Sequence, residues 1–305
     1  MQPVATAYRE FMPCEGLRDH VRSLFSFIPG NERVPSQRPI ACEVLFRPDD
    51  LICPPMLADG NTSLVFDLGR ICLMDGRWQS DPSGCHGKVI GALRRGDGVC
   101  IERAAMVGAY FHAGQTFSFI QVPARELTDR ILPLEDVWGA ASLELPTELA
   151  EMDEAARINK LESVLLHRIR NNSPSHSAVD LPRLAASIVQ KRGNVTIESL
   201  TTGAGISRQH LARLFSEGVG ISPKLFCRLA RFQSGLAYAG RGKDVDWAQA
   251  ARALGYSDQS HMIGEFREFS SLTPQMLAQR PWFHPFIERA RLSRTSGKGI
   301  ARRED

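Results

Sequence analysis

Apolar positions recur every three or four residues from about residue 181 to 282, so this stretch predicts helices almost throughout. The first 120 residues follow another rhythm. Short apolar runs such as Ser63-Leu-Val-Phe-Asp-Leu68 and Thr116-Phe-Ser-Phe-Ile-Gln-Val122 read as strands. Turn signals separate such runs at Asp59-Gly60-Asn61, Asp75-Gly76 and Arg95-Gly96-Asp97-Gly98. Several short strands at regular spacing predict a small barrel or sandwich. Leu17, Val21, Leu24 and Phe25 are helically spaced, which predicts a short helix within 14–25. From residue 124 the period changes again. Residues 124–131 read as a short helix, and 146–170 as a longer one. Its apolar stripe is Leu149, Met152, Ala156, Leu161, Val164, Leu165 and Ile169, with Pro146 and Thr147 at its start. That stripe is either a subunit interface or packed on its own barrel.

Breaker-rich residues divide the chain further. The polar stretch Asn171-Asn-Ser-Pro-Ser-His-Ser177 marks a linker over 171–180, and Pro182 suits the first turn of the next helix. The domains expected are 1–170, a sensor or dimerisation domain; 181–282, a helical domain; and 283–305, a basic Ser/Gly-rich tail expected to be mobile. A length of 305 residues suits two domains, and 43% hydrophobic with 23% charged residues suits a folded protein. No run of about 18 apolar residues predicts a membrane span, and the start lacks the pattern of a secretory signal.

Charge sharpens the division. Residues 1–179 carry a net −5, residues 180–282 a net +5 and residues 283–305 a net +3, so the rear of the chain is the part suited to a polyanion. Cysteines stand at 14, 42, 53, 72, 85, 100 and 227, with no CxxC pair, which predicts reduced, mostly buried thiols rather than a disulfide framework or zinc knuckle.

The basic half contains a repeat. Residues 197–204, the turn Gly205-Ile206-Ser207 and residues 208–215 form the first copy. Residues 247–254, the turn Gly255-Tyr256-Ser257 and residues 258–266 form the second. Gly205 and Gly255 suit the positive φ that ends a helix, and Ser207, Ser257 and Asp258 are the caps at the turns. Leu211 and Phe215, like Met262 and Phe266, are four apart and face the core, leaving the opposite face of each second helix free for a major groove. Gly220-Ile-Ser-Pro223 and Ser271-Leu-Thr-Pro274 close the two copies.

The segments GYSDQSHMIGEFREFSSLTP at 255–274 and LTTGAGISRQHLARLFSEGVGISP at 200–223 resemble the double helix-turn-helix module of AraC/XylS-type transcription regulators. The resemblance covers 181–282, with Phe226, Leu229, Phe232 and Leu236 on the connecting helix. It implies sequence-specific binding to double-stranded promoter DNA in a bacterial cytoplasm, on the nucleoid, with no cofactor for chemistry and with RNA polymerase as a further partner. The front half more loosely resembles the N-terminal region of some such regulators, at 8–13, 59–66, 124–129 and 134–138. That implies a cupin-like sensor fold for a small effector it does not name, and allows a homodimer. The fold class expected is α+β multidomain: a β-rich cupin-like barrel with helices, then an all-α domain with two helix-turn-helix units.

By this resemblance the base-reading positions are Arg208, Gln209, Ala212 and Arg213 in the first unit, and Gln259, Ser260 and Ile263 in the second. Arginine pairs bidentately with guanine and glutamine with adenine. The second helix departs from the family pattern at Gly264 and Ser271, so it is expected to read fewer bases. Arg183, Lys224, Arg228 and Arg231 are phosphate candidates; His210 and His261 are expected to cap or pack. In the front half Cys85, His86 and His112 are the conspicuous soft ligands, too few for an expected metal site. Phe66, Leu68, Phe117 and Phe119 either line a pocket or fill the core. An enzyme fused to such a module, a cupin-like oxygenase or a repair activity, is the alternative; the first calls for a His-rich metal cluster and the second for a dedicated cysteine zinc site with a reactive Cys-His motif, and the sequence displays neither pattern.

Overall fold

The computed structural model describes residues 6–28, 40–46, 58–69, 71–74, 77–80, 85–96, 105–172, 179–239 and 245–279. The front half begins with strands β1 (Thr6–Phe11), β2 (Val21–Ile28), β3 (Ile40–Phe46), β4 (Ser63–Asp67), β5 (Ile71–Met74), β6 (Arg77–Ser80), β7 (His86–Ile90) and β8 (Met106–Phe111). It continues through α1 (Thr116–Ile120), α2 (Ala124–Leu127), β9 (Ile131–Pro133), α3 (Glu135–Trp138), α4 (Leu145–Glu151) and α5 (Glu154–Asn171). Among the described residues β5 and β6 form a ribbon, and the other strands form one antiparallel sheet in the order β3-β1-β2-β8-β4-β7-β9.

Alternation along the strands gives the sheet two apolar faces. Phe11, Leu24, Leu64, Phe66, Val107 and Ala109 share a core with Ile158, Leu161 and Leu165 of α5, so the helical stripe packs on its own sheet. Phe25, Phe27, Val65 and Met106 form a smaller cluster. Phe119 stacks on Phe111 with ring centres 4.2 Å apart, and Phe66 is buried beside them, while Phe117 is 41% exposed. Three local expectations are corrected. Only Glu15–Leu17 of the 14–25 stretch is helical, as a 3-10 turn; from Val21 the chain pairs with β1 and β8 on its two sides, and that pairing overrides the helical spacing. Residues 116–120 are a helix, not a strand, because β4 and β8 already have neighbours on both edges and the sheet has no place for another strand there. The 146–170 helix is two: Met152 is extended, and Asp153 caps a new helix by accepting from Ala156 N at 2.8 Å.

The rear half is α6 (Leu181–Gln190), α7 (Ile197–Ala204), α8 (Arg208–Gly218), α9 (Pro223–Ala239), α10 (Trp247–Ala253), α11 (Gln259–Ser270) and α12 (Pro274–Ala278). Asp180 caps α6, with Pro182 in its first turn. One core unites these helices, with α9 through its centre: Phe226 lies 5.7 Å from Phe215 of α8, and Phe232 lies 4.9 Å from Phe266 and 5.4 Å from Phe269 of α11. Among the described residues no helix is long and apolar enough to cross a membrane. The turns at 75–76 and 97–98, Cys53, Cys100, most of the 171–180 linker and the 283–305 tail lie outside the described residues.

Candidate nucleic-acid interface

Each unit of the repeat is built by the same local chemistry. In the first, Thr196 caps α7 and Gly205 leaves it with φ +65°. Ser207 then opens α8, its hydroxyl accepting from His210 N at 3.1 Å. In the second, Asp246 caps α10, and Gly255 turns at φ +79°, where a Cβ would overlap the side chain of Asn194. Asp258 opens α11 by accepting from His261 N at 2.8 Å. Ser257 stands one step before that cap and donates to Asp258 Oδ2 at 3.1 Å. The His261 N–H holds the exposed Asp258 carboxyl below the usual carboxylate range, with the Ser257 hydroxyl adding to it.

Leu211, Phe215, Met262 and Phe266 are fully buried, which orients both second helices. Arg208, Gln209, Ala212 and Arg213 are therefore exposed at the head of α8, and Gln259 and Ser260 at the head of α11; Ile263 is half-buried. Arg208 and Arg213 make no ion pair with a described residue, so their guanidinium groups are open to an outside anion. Counted from the caps, Gly264 occupies the place on α11 that Arg213 occupies on α8. A Cβ at Gly264 would meet no atom within 4 Å, so the place is vacant surface.

An open groove of about 950 Å³ lies between the start of α7, α9 and α11, lined among others by Lys224, Arg228, Arg231, His261 and Gly264. Two of these cations are already committed. Arg228 bonds Glu265 Oε1 through Nε at 2.7 Å and Glu268 Oε2 through Nη2 at 2.5 Å. Arg231 lies over the Tyr256 ring at 5.0 Å, its Nε 3.8 Å from Glu265 Oε2. Both arginines thus brace α9 against α11; of the four phosphate candidates, Arg183 and Lys224 are the exposed ones. Among the described residues, Arg231 Nε, Glu265 Oε2 and the Tyr256 hydroxyl are buried with no partner inside hydrogen-bond distance. Burial raises the Tyr256 pKa, with the Glu265 charge adding to it. His261 meets the Tyr256 ring edge-on at 5.4 Å, and burial pushes the Cys227 thiol up to about 11. Glu265 escaped the sequence reading; the only signal for it was an acidic residue at a core-facing position of an otherwise apolar stripe.

In the front half Cys85 is half-buried and burial raises its pKa, with the Asp67 charge adding to it. Burial lowers the pKa of His112, and its ring bonds the Arg18 carbonyl at 3.1 Å. Among the described residues no group of three or more His, Cys, Asp or Glu could hold a metal ion.

A family model described as a helix-turn-helix domain matches residues 200–280. No curated protein matches the sequence. Solved structures similar to this chain include ToxT from Vibrio cholerae O395, 11% identical with a TM-score of 0.40, covering 73% of this chain and 92% of that one. The same protein bound to (E)-4-(8-methylnaphthalen-1-yl)but-3-enoic acid is 11% identical with a TM-score of 0.41, covering 74% and 94%. Wild-type ToxT of strain SCE256 with an unsaturated fatty acid bound is 8% identical with a TM-score of 0.41, covering 92% and 96%.

Proposed function

We infer that this chain, whose residues 200–280 are a helix-turn-helix domain of the AraC type, is a sequence-specific DNA-binding transcription regulator with an N-terminal effector-sensing domain. The observation that carries the reading is the presentation of Arg208, Gln209 and Arg213, exposed and with no ion pair to a described residue, on a capped helix whose other face is locked into a core. Two such helices on one scaffold suit successive major grooves on one face of a duplex, about 34 Å apart.

The two helices contribute unequally. α8 offers two arginines and a glutamine, groups able to make bidentate contacts with guanine and adenine. α11 offers Gln259, Ser260 and part of Ile263, with a vacancy at Gly264. α8 is therefore the principal base reader, and α11 chiefly docks on the backbone. Lys224 and Arg183 add to the phosphate contacts. The chain works without a cofactor, in the cytoplasm, on the nucleoid; a second copy of the chain and RNA polymerase are its further partners.

Selection from random duplexes followed by affinity measurements on single-base variants tests this. A shared motif should emerge, and Arg213→Ala should cost about 1–3 kcal/mol at one position of it. Gln259→Ala should cost less. A larger specificity loss for Gln259→Ala than for Arg213→Ala would reverse the ranking, and no selected motif at all would refute the reading.

A further inference from the structure

Residues 58–61 belong by sequence to the front half, and lead directly into β4. Ala58 is nevertheless fully buried within the core of the helical half. Both of its peptide groups bond that half. Its N–H donates to Phe269 O at 3.3 Å, in the last turn of α11, and its carbonyl accepts from Gln233 Nε2 of α9 at 2.8 Å. Phe269 O is one of the terminal helix carbonyls that have no partner within their own helix, so the strap caps α11. Gly60, at φ +67°, lies so close to α9 that a Cβ would stand 3.2 Å from Leu229 and 3.3 Å from Ile221 and Phe226. Asp59 between them bonds Asn61 N at 3.1 Å, and Asn61 Nδ2 returns a bond to the Asp59 carbonyl at 2.9 Å, which stiffens the strap.

A second contact grips the other recognition helix at the corresponding end. Thr128, just after α2, donates its hydroxyl to Gly220 O at 2.7 Å, two residues beyond α8. Gly220 has φ +90°, and a Cβ there would lie 2.6 Å from the Thr128 hydroxyl and 2.7 Å from Ala124 O. Arg125 of α2 also faces Glu217 of α8 at 3.8 Å. The front domain therefore touches the tails of α8 and α11 while their heads stay exposed.

We propose that the front domain sets the spacing and tilt between the two recognition helices by holding both at their C-terminal ends, through the 58–61 strap on α11 and the α2–Thr128 corner on α8. This rests on the DNA reading above for its consequence, though not for its geometry. The lever is long. α11 has 12 residues. At 1.5 Å per residue it spans about 18 Å, so a tilt of about 5° about its tail moves its head by about 1.5 Å. That is enough to break the hydrogen bonds by which Gln259 and Ser260, the base readers left to α11, would reach a base edge. Gln233, Gly60 and Thr128 are positioning residues, and the operator half-site spacing is read through them. The rival is that packing on α9 alone holds the two helices in register.

The test compares the full-length chain with Gln233→Ala, Thr128→Val and Gly60→Val on the selected operator and on the same duplex with one base pair inserted between the two contacted regions. Wild type should bind the inserted duplex at least about tenfold more weakly. The variants should discriminate by less than about threefold, with binding to a duplex carrying only the α8 half-site unchanged. Undiminished discrimination in the variants, or a wild type indifferent to the insertion, overturns the proposal. Gly60→Val can prevent folding; Gln233→Ala deletes one hydrogen bond and Thr128→Val the hydroxyl shared between Gly220 O and Ala124 O, and both keep the test decisive. A DNA-free readout separates this inference from the reading beneath it: spin labels placed at 209 and 260 by a chemistry that spares the native cysteines. Wild type should give one narrow distance peak, and the variants a broadened or shifted one. Identical distributions overturn the proposal even where DNA binding is intact. A wild type that selects no DNA refutes the regulator reading, and the label distances still decide the strap.

Discussion

Gly264 invites two opposite substitutions with separate readouts. It lies in the middle of α11, exposed, and a Cβ would touch nothing within 4 Å. Gly264→Ala therefore adds no clash and removes the backbone freedom that glycine brings to a helix interior. The gain should be about 1 kcal/mol, or about 1.5 °C in the midpoint of the cooperative transition for a chain of 305 residues. Thermal unfolding followed by circular dichroism measures it. Operator affinity should stay within about threefold of wild type, because a methyl group reaches no base or phosphate from a loosely docked helix. Gly264→Arg places on α11 the side chain that α8 carries at Arg213, and one added phosphate contact should steepen the dependence of log K on log salt by about 0.9. No rise in stability for the alanine would mean that the position is not vacant surface. A tenfold loss of affinity at raised stability would refute α11 as the weaker reader, because its bare backbone would then lie against the DNA. An unchanged salt slope for the arginine would place α11 away from the duplex altogether.

Other perturbations probe the scaffold behind the two helices. Arg228→Ala removes the 2.7 Å bond to the Glu265 carboxylate, 3% exposed, and leaves it Arg231 at 3.8 Å; it should destabilise the chain by about 1.5–3 kcal/mol in urea unfolding, and adding Glu265→Gln should restore part of that. Ser271 ends α11 at φ +59°. Ser271→Gly should stabilise by about 0.5–1 kcal/mol, the cost of a left-handed serine less the entropy glycine adds to the unfolded chain. The Asp258 carboxyl is held below its ordinary range in the folded chain, so its cap is complete above the unfolded carboxylate pKa and is lost as pH falls through the depressed folded value. Asp258→Asn keeps the acceptor without the charge and should flatten that acid limb in a series of melting curves against pH.

The helical half was legible because its signals are local. Gly205 and Gly255, the caps Ser207 and Asp258, and the paired core positions Leu211/Phe215 and Met262/Phe266 each act within one or two turns of their own helix, and each stands in the structure as its spacing implies. The exposed heads of α8 and α11 follow from the same periodicity. The front half was legible as strands and turns but not in detail. Val21–Ile28 is a strand because β1 and β8 flank it, and Thr116–Ile120 is a helix because the sheet has no free edge beside β4 or β8. Neither fact is written in the window of residues concerned.

Tertiary structure alone decided which cations are free. Arg208, Arg213, Arg228 and Arg231 are alike as letters. Two face outward, and two are taken up by Glu265 and Glu268, because burying a carboxylate requires a partner. The same holds for the strap. Asp59-Gly60-Asn61 reads as a turn, and it is one. Only the fold shows that the adjoining Ala58 completes the last turn of a helix more than 200 residues away, because an unpaired backbone group buried at a helix end takes whatever partner the packing brings to it.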